Sequence, residues 1–482
     1  MSMRKLIVVG FLAAAFVGSL FQTAFTFEYS HTKTVQDFNP NWNKTLYLDP
    51  ECKFDPNWKE KQDAVFRRTG VKEGEIYNSS NADKIKEFLP SSVYNWIKKD
   101  EWQIKIGALK YDLGPDWGHM EKWSKNNSGK YIVGENSEII EVATGKFPKQ
   151  MDGITFPIEE IDFSNKEDAP IKLLHNKNSF LWGGGNAKAQ FVMEWVGVNG
   201  YERHVKGEVT LFHFLQDHNH VPNPNNFKTV TTTVFLEPYD IKGTAQLSWK
   251  FLDGQPDRSF AYIPVIRRVK RVSAANRSDP NIGADFCLDD GFAFDGYIGS
   301  MKWKLIGEQD YLCPMMKDVT ERLIYYKKFP DGSFRGVHDA EPLKAGYNDP
   351  DWKGAPWAIL NAVWVPRSAW VIEFYPKDRY YNYGKQILYI DKRGRQPVFK
   401  IVYNRAGQYW KTVFVMYNCI VGRNKLIGSV STMYMAVDDK KHHATMMISD
   451  GKYRGVNFTM MSFMNWVKPA MFTTSYMTQM SR

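Results

Sequence analysis

Cysteine is scarce. There are four in 482 residues, Cys52, Cys287, Cys313 and Cys419. No two form a CxxC pair, which excludes a dithiol redox motif and a zinc ribbon. In an oxidising compartment four cysteines allow three pairings, and Cys287 with Cys313 is favoured because it would close an acidic loop. Long apolar runs are equally rare. One follows Arg4-Lys5, extends from Leu6 to Phe21, and leads to Ala24 and Thr26, small residues placed as a cleavage site requires. That pattern predicts a signal peptide over residues 1–26. The run falls short of the roughly 20 residues a spanning helix needs, and no other run approaches it. The mature chain is therefore expected to be exported and soluble, at most loosely attached to a membrane.

A large excess of one charge sign over the whole chain is also missing. The formal charge is +10, the basic residues are scattered, and nucleic acid is not expected as a partner. Nucleophile and metalloprotease signatures such as GxSxG and HExxH do not occur. Trp182-Gly183-Gly184-Gly185-Asn186 lacks the Lys and Ser/Thr of a phosphate loop and reads as a turn. The densest ligand-type cluster is His213, His218 and His220, the candidates for a metal, with Asp217 placed to assist. Asp285, Asp289, Asp290 and Asp295 do not match the spacing of an EF-hand. His442-His443 reads as a solvated pair in a charged turn. No cofactor and no catalytic residue is expected.

What is abundant is aromatic: 16 Trp, 25 Tyr and 31 Phe. Such residues suit pleated, half-buried surfaces. Helical patterning is confined to the N-terminal part, near Pro56–Arg68, from Asn81 to Leu89, and after Ser91. From about Asn186 the period becomes two, with more than a dozen strand-like runs separated by Gly, Asn, Asp or Pro turns. The expected fold is mainly β, of the α+β kind: a large curved antiparallel sheet or half-barrel covered by few helices. The expected division is a mixed segment over residues 27–150 and a sheet domain over 151–482, with the seam near 145–185. The two are also compatible with one continuous unit.

The chain pivots on Leu247 to Ile306. Leu247–Leu252 and Phe260–Ile266 flank a Gly/Pro/Asp turn and predict a hairpin. From Arg258 to Arg277 there are six basic residues and no acid, and from Asp279 to Asp295 five aspartates and no base. Either the aspartates fold back and neutralise the arginines, or Arg267, Arg268, Arg271 and Arg277 flank a mouth that meets anionic headgroups or a charged partner. The last fifty residues hold ten of the 19 methionines, suited to sheet core or to an adaptable apolar lining.

Several blocks together resemble a known family. They are Asn81-Ala82-Asp83-Lys84 through Leu89-Pro90 to Val93-Tyr94-Asn95-Trp96, Phe260-Ala261-Tyr262-Ile263-Pro264 to Arg271, and Trp303-Lys304-Leu305-Ile306-Gly307. Val363-Trp364-Val365, Tyr383-Gly384-Lys385 to Asp391, and Arg405-Ala406-Gly407-Gln408-Tyr409-Trp410 complete the set. In this spaced order they resemble the exported bacterial family catalogued as domain of unknown function 1329, which is similar to outer-membrane lipoprotein-sorting proteins. The resemblance implies a lipoprotein-carrier-like half-barrel enclosing an apolar groove. It implies no catalytic residue, and neither the C-terminal methionines nor the cysteines are accounted for by it.

The expected function is a periplasmic carrier or chaperone that buries a lipid or other hydrophobic molecule in a β-groove. Its partners would be that cargo and an inner-membrane exporter or outer-membrane protein. Phe191, Trp195, Phe212, Trp249, Tyr262, Trp303, Phe374 and Trp410 are expected to form groove wall and core, with facing set by strand register. The alternatives are a scaffold subunit of an envelope complex and an exported metal-dependent enzyme on a hydrophobic substrate.

Overall fold

The computed structural model of the chain describes residues 57–109, 112, 124–151, 153–181, 186–215, 221–273, 275–316, 325–328, 334–337, 343–421, 427–448, 459–462 and 467–481. The expected signal peptide, Cys52, the glycine turn 182–185, Asp217, His218 and His220 lie outside the described residues.

The N-terminal part forms α1 (Trp58–Thr69), which ends where Gly70 takes a left-handed φ of 70°, the usual helix stop. It continues through α2 (Ser91–Lys98), which buries Val93, Trp96 and Ile97. Ala82–Phe88 is a 3-10 helix where the periodicity suggests an α-helix. β1 (Ile76–Tyr77) pairs with β2 (Ile104–Lys105), and β3 (Tyr131–Val133) with β4 (Ile139–Glu141). A further helix, α3 (Asp168–Leu181), stands beside the sheet. The period-two reading does not announce it, although Asp168 and Pro170 in its first turn are a helix-start signal.

The strands of the large sheet follow after residue 186, the region in which period two was expected. They are β5 (Ala187–Gly197), β6 (Gly200–His213), β7 (Phe227–Glu237), β8 (Ala245–Phe251), β9 (Arg258–Ile263) and β10 (Arg268–Val272), then β11 (Met301–Met316), β12 (Tyr325–Lys328) and β13 (Phe334–Val337). After them come β14 (Ala362–Pro376), β15 (Tyr383–Asp391), β16 (Pro397–Asn404), β17 (Tyr409–Val421), β18 (Ile427–Asp438), β19 (His443–Ile448) and β20 (Thr459–Ser462). The chain closes with α4 (Thr474–Met480), whose N-cap Thr473 accepts a hydrogen bond from the Tyr476 amide. The β8–β9 hairpin is present as expected. The second run of that hairpin, Phe260–Ile266, is extended only to Ile263; Pro264 to Arg267 form a turn, in which Arg267 adopts φ 50°, and β10 follows.

One sheet holds most of these strands. Thirteen run in the order β10-β9-β8-β7-β6-β5-β19-β18-β17-β11-β14-β15-β16, and β12, β13 and β20 attach beside them. Pairing along this path is antiparallel except for a single parallel bridge, Met315 to Tyr417, between β11 and β17. β16 also pairs with β17, so the sheet curls far enough for five strands to close on themselves. The protein is mainly β, with one large antiparallel sheet and few helices.

The N-terminal helices pack on that sheet. The Ser92 and Thr412 hydroxyls hydrogen-bond at 2.7 Å, the Trp96 indole donates to Asp439 at 2.8 Å, and Trp102 packs on Phe414 at 6.0 Å. Arg68 at the end of α1 forms a two-pronged ion pair with Asp310 of β11. All described residues belong to one compact unit.

Candidate hydrophobic-ligand site

Register decides which aromatic side chains meet. Phe212 of β6 lies opposite Val230, which lies opposite Trp249; Val234 lies opposite Ala245, which lies opposite Tyr262. Successive side chains on a strand alternate between faces, so Phe212, Trp249 and Tyr262 share one. Phe214, Val230, Val234, Ala245 and Leu247 complete a buried layer with them. Its rings interlock: Trp249 meets Phe260 at 4.7 Å, Phe212 meets Phe214 at 4.7 Å, and Phe227 meets Trp249 at 5.5 Å.

The cover of this layer is the C-terminal segment. Val467, Phe472 and Met477 pack into it. The Trp249 indole donates to the Phe472 carbonyl at 2.9 Å, which fixes the segment over β8. Phe472 reaches Phe212 at 6.4 Å. Where α4 leaves the sheet, a shallow cavity of about 340 Å³ opens against Phe260, Val269 and Arg271, with Thr474, Ser475 and Thr478 on the helix side. The cover is narrow: α4 has seven residues, against four strands beneath it.

The remaining expected wall residues do not join this layer. Phe191 packs edge-on against Phe235 at 6.2 Å, over Gly207, where any Cβ would lie 2.3 Å from the Phe191 ring. Trp195 donates to the Gly283 carbonyl and carries the Arg203 guanidinium on its face at 4.1 Å. Trp303 stacks on Phe374 at 4.5 Å, with Phe294 edge-on to both. Trp410 packs against Tyr383 at 5.4 Å and donates to Asp438. Phe191, Trp195, Trp303 and Phe374 lie on the opposite face of the sheet, which the segment 275–300 fills. They are core, and Trp410 is a half-buried support to it.

That acidic segment folds back, but onto other cations than most of the arginines before it. Arg277 is buried and pairs with Asp289 at 2.6 Å, while the Tyr381 hydroxyl donates to the same carboxylate. It is therefore not a headgroup contact. Asp290 holds Lys400, both side chains fully buried, and also accepts from the Tyr383 hydroxyl and the Cys287 amide. Burial raises the Asp290 carboxyl, yet Lys400 and Lys411 outweigh it and keep the group below its usual range. Asp295 pairs with Lys250 at 2.6 Å, and Asp285 accepts from His443 at 2.6 Å and from Thr445. The four aspartates thus face separate protein partners, not a common ion. His443 is half-buried between Asp285 and Glu202, not solvated.

Beside this network, burial pushes Lys177 down to about 7 and Lys228 to about 8. His213 is buried as well, and burial followed by the nearby Lys228 drives it down to about 3. Among the described residues no three metal-ligating side chains converge. The expected Cys287–Cys313 bridge is not formed. Both thiols are free and buried, Cys287 beside Asp290 and Tyr383, and Cys313 near Tyr311 and Asp391. Burial raises the Cys313 thiol to about 12. The side chain of Cys419 lies outside the described residues.

Arg267, Arg268 and Arg271 are exposed on β10 and its entry turn. None of them forms an ion pair among the described residues. A second cavity, about 290 Å³, lies between α1 and β14. Its basic rim is already matched, with Arg68 on Asp310, Arg367 on Asp391, Lys392 on Glu308 and Arg393 on Asp112. Among the described residues no helix is long and apolar enough to cross a membrane.

A large antiparallel sheet whose aromatic face is capped by the chain's own C-terminus is the class of protein these elements define. The chain belongs to the family described as "Protein of unknown function (DUF1329)", which matches residues 77–477. Among solved structures it is similar to an outer membrane lipoprotein-sorting protein domain from Vibrio parahaemolyticus, at 17% identity and TM-score 0.42, over 64% of this chain and 97% of that one. A DUF1329 family protein from Desulfovibrio piger matches at 14% identity and TM-score 0.39, over 61% and 91%. A LolA superfamily protein from Nitrosomonas europaea matches at 12% identity and TM-score 0.36, over 63% and 97%. No curated protein matches.

Proposed function

We propose that the protein is an exported carrier that holds a lipid or other hydrophobic molecule against the aromatic face of β6–β9. The observation that carries this reading is the aromatic layer of Phe212, Trp249, Phe260 and Tyr262 under a cover of one short helix and its lead-in. Such a cover can move aside without disturbing the sheet ladder. An apolar chain that takes the place of Val467, Phe472 and Met477 gains about 0.8 kcal/mol per buried CH2, offset by the similar apolar packing that the helix gives up. The cavity at Phe260 and Val269 is the entry, and Arg271 at its rim suits an anionic headgroup.

On this proposal the mature chain works in the periplasm and exchanges cargo with membrane-bound partners. Native mass spectrometry of protein purified without detergent, followed by solvent extraction, tests it. The expected result is an added mass that leaves with solvent. A clean protein mass, with no uptake of fatty acid or phospholipid on titration, would overturn the carrier reading and favour a scaffold role in an envelope complex.

A further inference from the structure

We infer that the end of the sheet formed by the β7–β8 loop and the β9–β10 turn docks the protein on an anionic lipid surface. Among the described residues, the two most exposed large apolar side chains are Tyr239 at 92% and Val265 at 85%. Both sit at this end, with Ile266 at 45% and Val269 at 36%. The register Val234–Ala245–Tyr262–Val269 puts the loop and the turn on the same edge. They also touch: a Cβ on Gly243 of the loop would stand 3.5 Å from the Pro264 ring and 2.5 Å from the Ser481 carbonyl. Exposed apolar groups, loop, turn and C-terminus are thus gathered at one site.

A turn apex ordinarily carries Gly, Asn, Asp or Ser, which tolerate water. This one carries Val and Ile. They are held outward by a formed structure, since Pro264 opens a 3-10 turn that Arg267 closes at φ 50° with its amide on the Pro264 carbonyl. Around them stand Arg267, Arg268, Lys270 and Arg271, all exposed, none ion-paired among the described residues, with Lys242 on the adjoining loop. The acids nearby are Asp240 and Glu237, the latter taken by Lys206 at 3.0 Å. Basic residues on an edge strand are commonly a guard against pairing with another sheet. That accounts for Arg268 and Lys270 but leaves Val265 and Ile266 without a role. An anionic bilayer accounts for both: aliphatic side chains enter the acyl boundary while the cations meet phosphates.

Docking of this kind does not depend on a cargo, so docking and cargo retention fail separately. The test is co-sedimentation of the mature protein with vesicles of phosphatidylglycerol and phosphatidylcholine, and with phosphatidylcholine alone. Binding is expected on the mixed vesicles at low salt and is expected to fall as salt rises. Val265→Ser with Ile266→Ser should weaken it roughly tenfold or more. Arg268→Ser with Arg271→Ser should weaken it similarly and remove the preference for the anionic lipid. Ile306→Ser, an aliphatic on β11 about as exposed as Ile266, should leave it unchanged. All these positions are exposed, so far-UV circular dichroism should match the parent. No binding by the parent at low salt, or equal binding by the parent and both double variants, would overturn the inference. So would an Ile306→Ser loss as large as that of the turn variant.

Discussion

Lys400 and Asp290 form an ion pair from which water is wholly excluded. Removing one partner leaves a buried charge without compensation, which costs about 3–5 kcal/mol. Lys400→Met is therefore expected to lower stability by that order in urea unfolding, and Lys400→Met with Asp290→Asn to recover much of it. Gly207→Ala tests a different constraint. With Phe191 in its path, the new methyl must push the ring away, for about 1–3 kcal/mol, seen as a lower denaturation midpoint at unchanged slope. His443 gives a pH signature. Its hydrogen bond to Asp285 raises its folded pKa above the ordinary 6.5, with Glu202 adding on the other side. The folded state then holds the proton more tightly, so this contribution is fully present below about pH 6.5 and is lost as pH rises through the raised value. His443→Gln is expected to flatten the decline of stability with pH over that interval.

At the scale of elements, the C-terminal segment is the part most open to test. Met477 is fully buried and Phe472 nearly so, yet both belong to a segment that lies over the sheet and adds no strand to it. Phe472→Ala should cost up to about 3–5 kcal/mol if the aromatic layer cannot close over the gap. The same variant should bind more of a hydrophobic dye such as ANS, because it loosens the cover and leaves the strands in place. If the variant is destabilised but binds no more dye, the segment is ordinary core and not a cover. From β5 onward alternation made most of the strands legible, but β1–β4, β13 and β20 were not read. α4 was not, because Thr474–Met480 carries no charged face to contrast with an apolar one, and its only signal is Thr473 as an N-cap. Pro264 was the available sign that the run Phe260–Ile266 turns before its end.

At the scale of the molecule, the aromatic layer was only partly readable. Tyr262, Trp249 and Phe212 do come together, but Phe191, Trp195, Trp303 and Phe374 belong to the other face. Alternation tells which residues of one strand share a side; it does not tell how neighbouring strands are aligned, nor that β5 lies beside β19. The sign switch between Arg258 and Asp295 was likewise half-legible. Folding back occurs, but the cations that receive Asp290, Asp295 and Asp285 are Lys400, Lys250 and His443, on strands no local pattern connects to them. The boundary expected near residue 150 meets the packing of α1 and α2 on β11, β14 and β17. We therefore expect residues 151–482, expressed alone, to expose Phe414 and Thr412 and to be poorly soluble. The chain from residue 57 should instead unfold in a single thermal transition.

The sheet order also bears on how the chain is made. β5 is among the first strands to be synthesised, and its neighbour β19 among the last. A polypeptide emerging N-terminus first holds half of a sheet with an unpaired central edge until residues 443–448 arrive. The aromatic layer waits longer still, for Met477. A chain interrupted just before that point has nearly all its strands but lacks the cover over the face of β6–β9. Chains ended shortly before residue 467 should therefore aggregate more readily than the full chain, which light scattering during refolding would show.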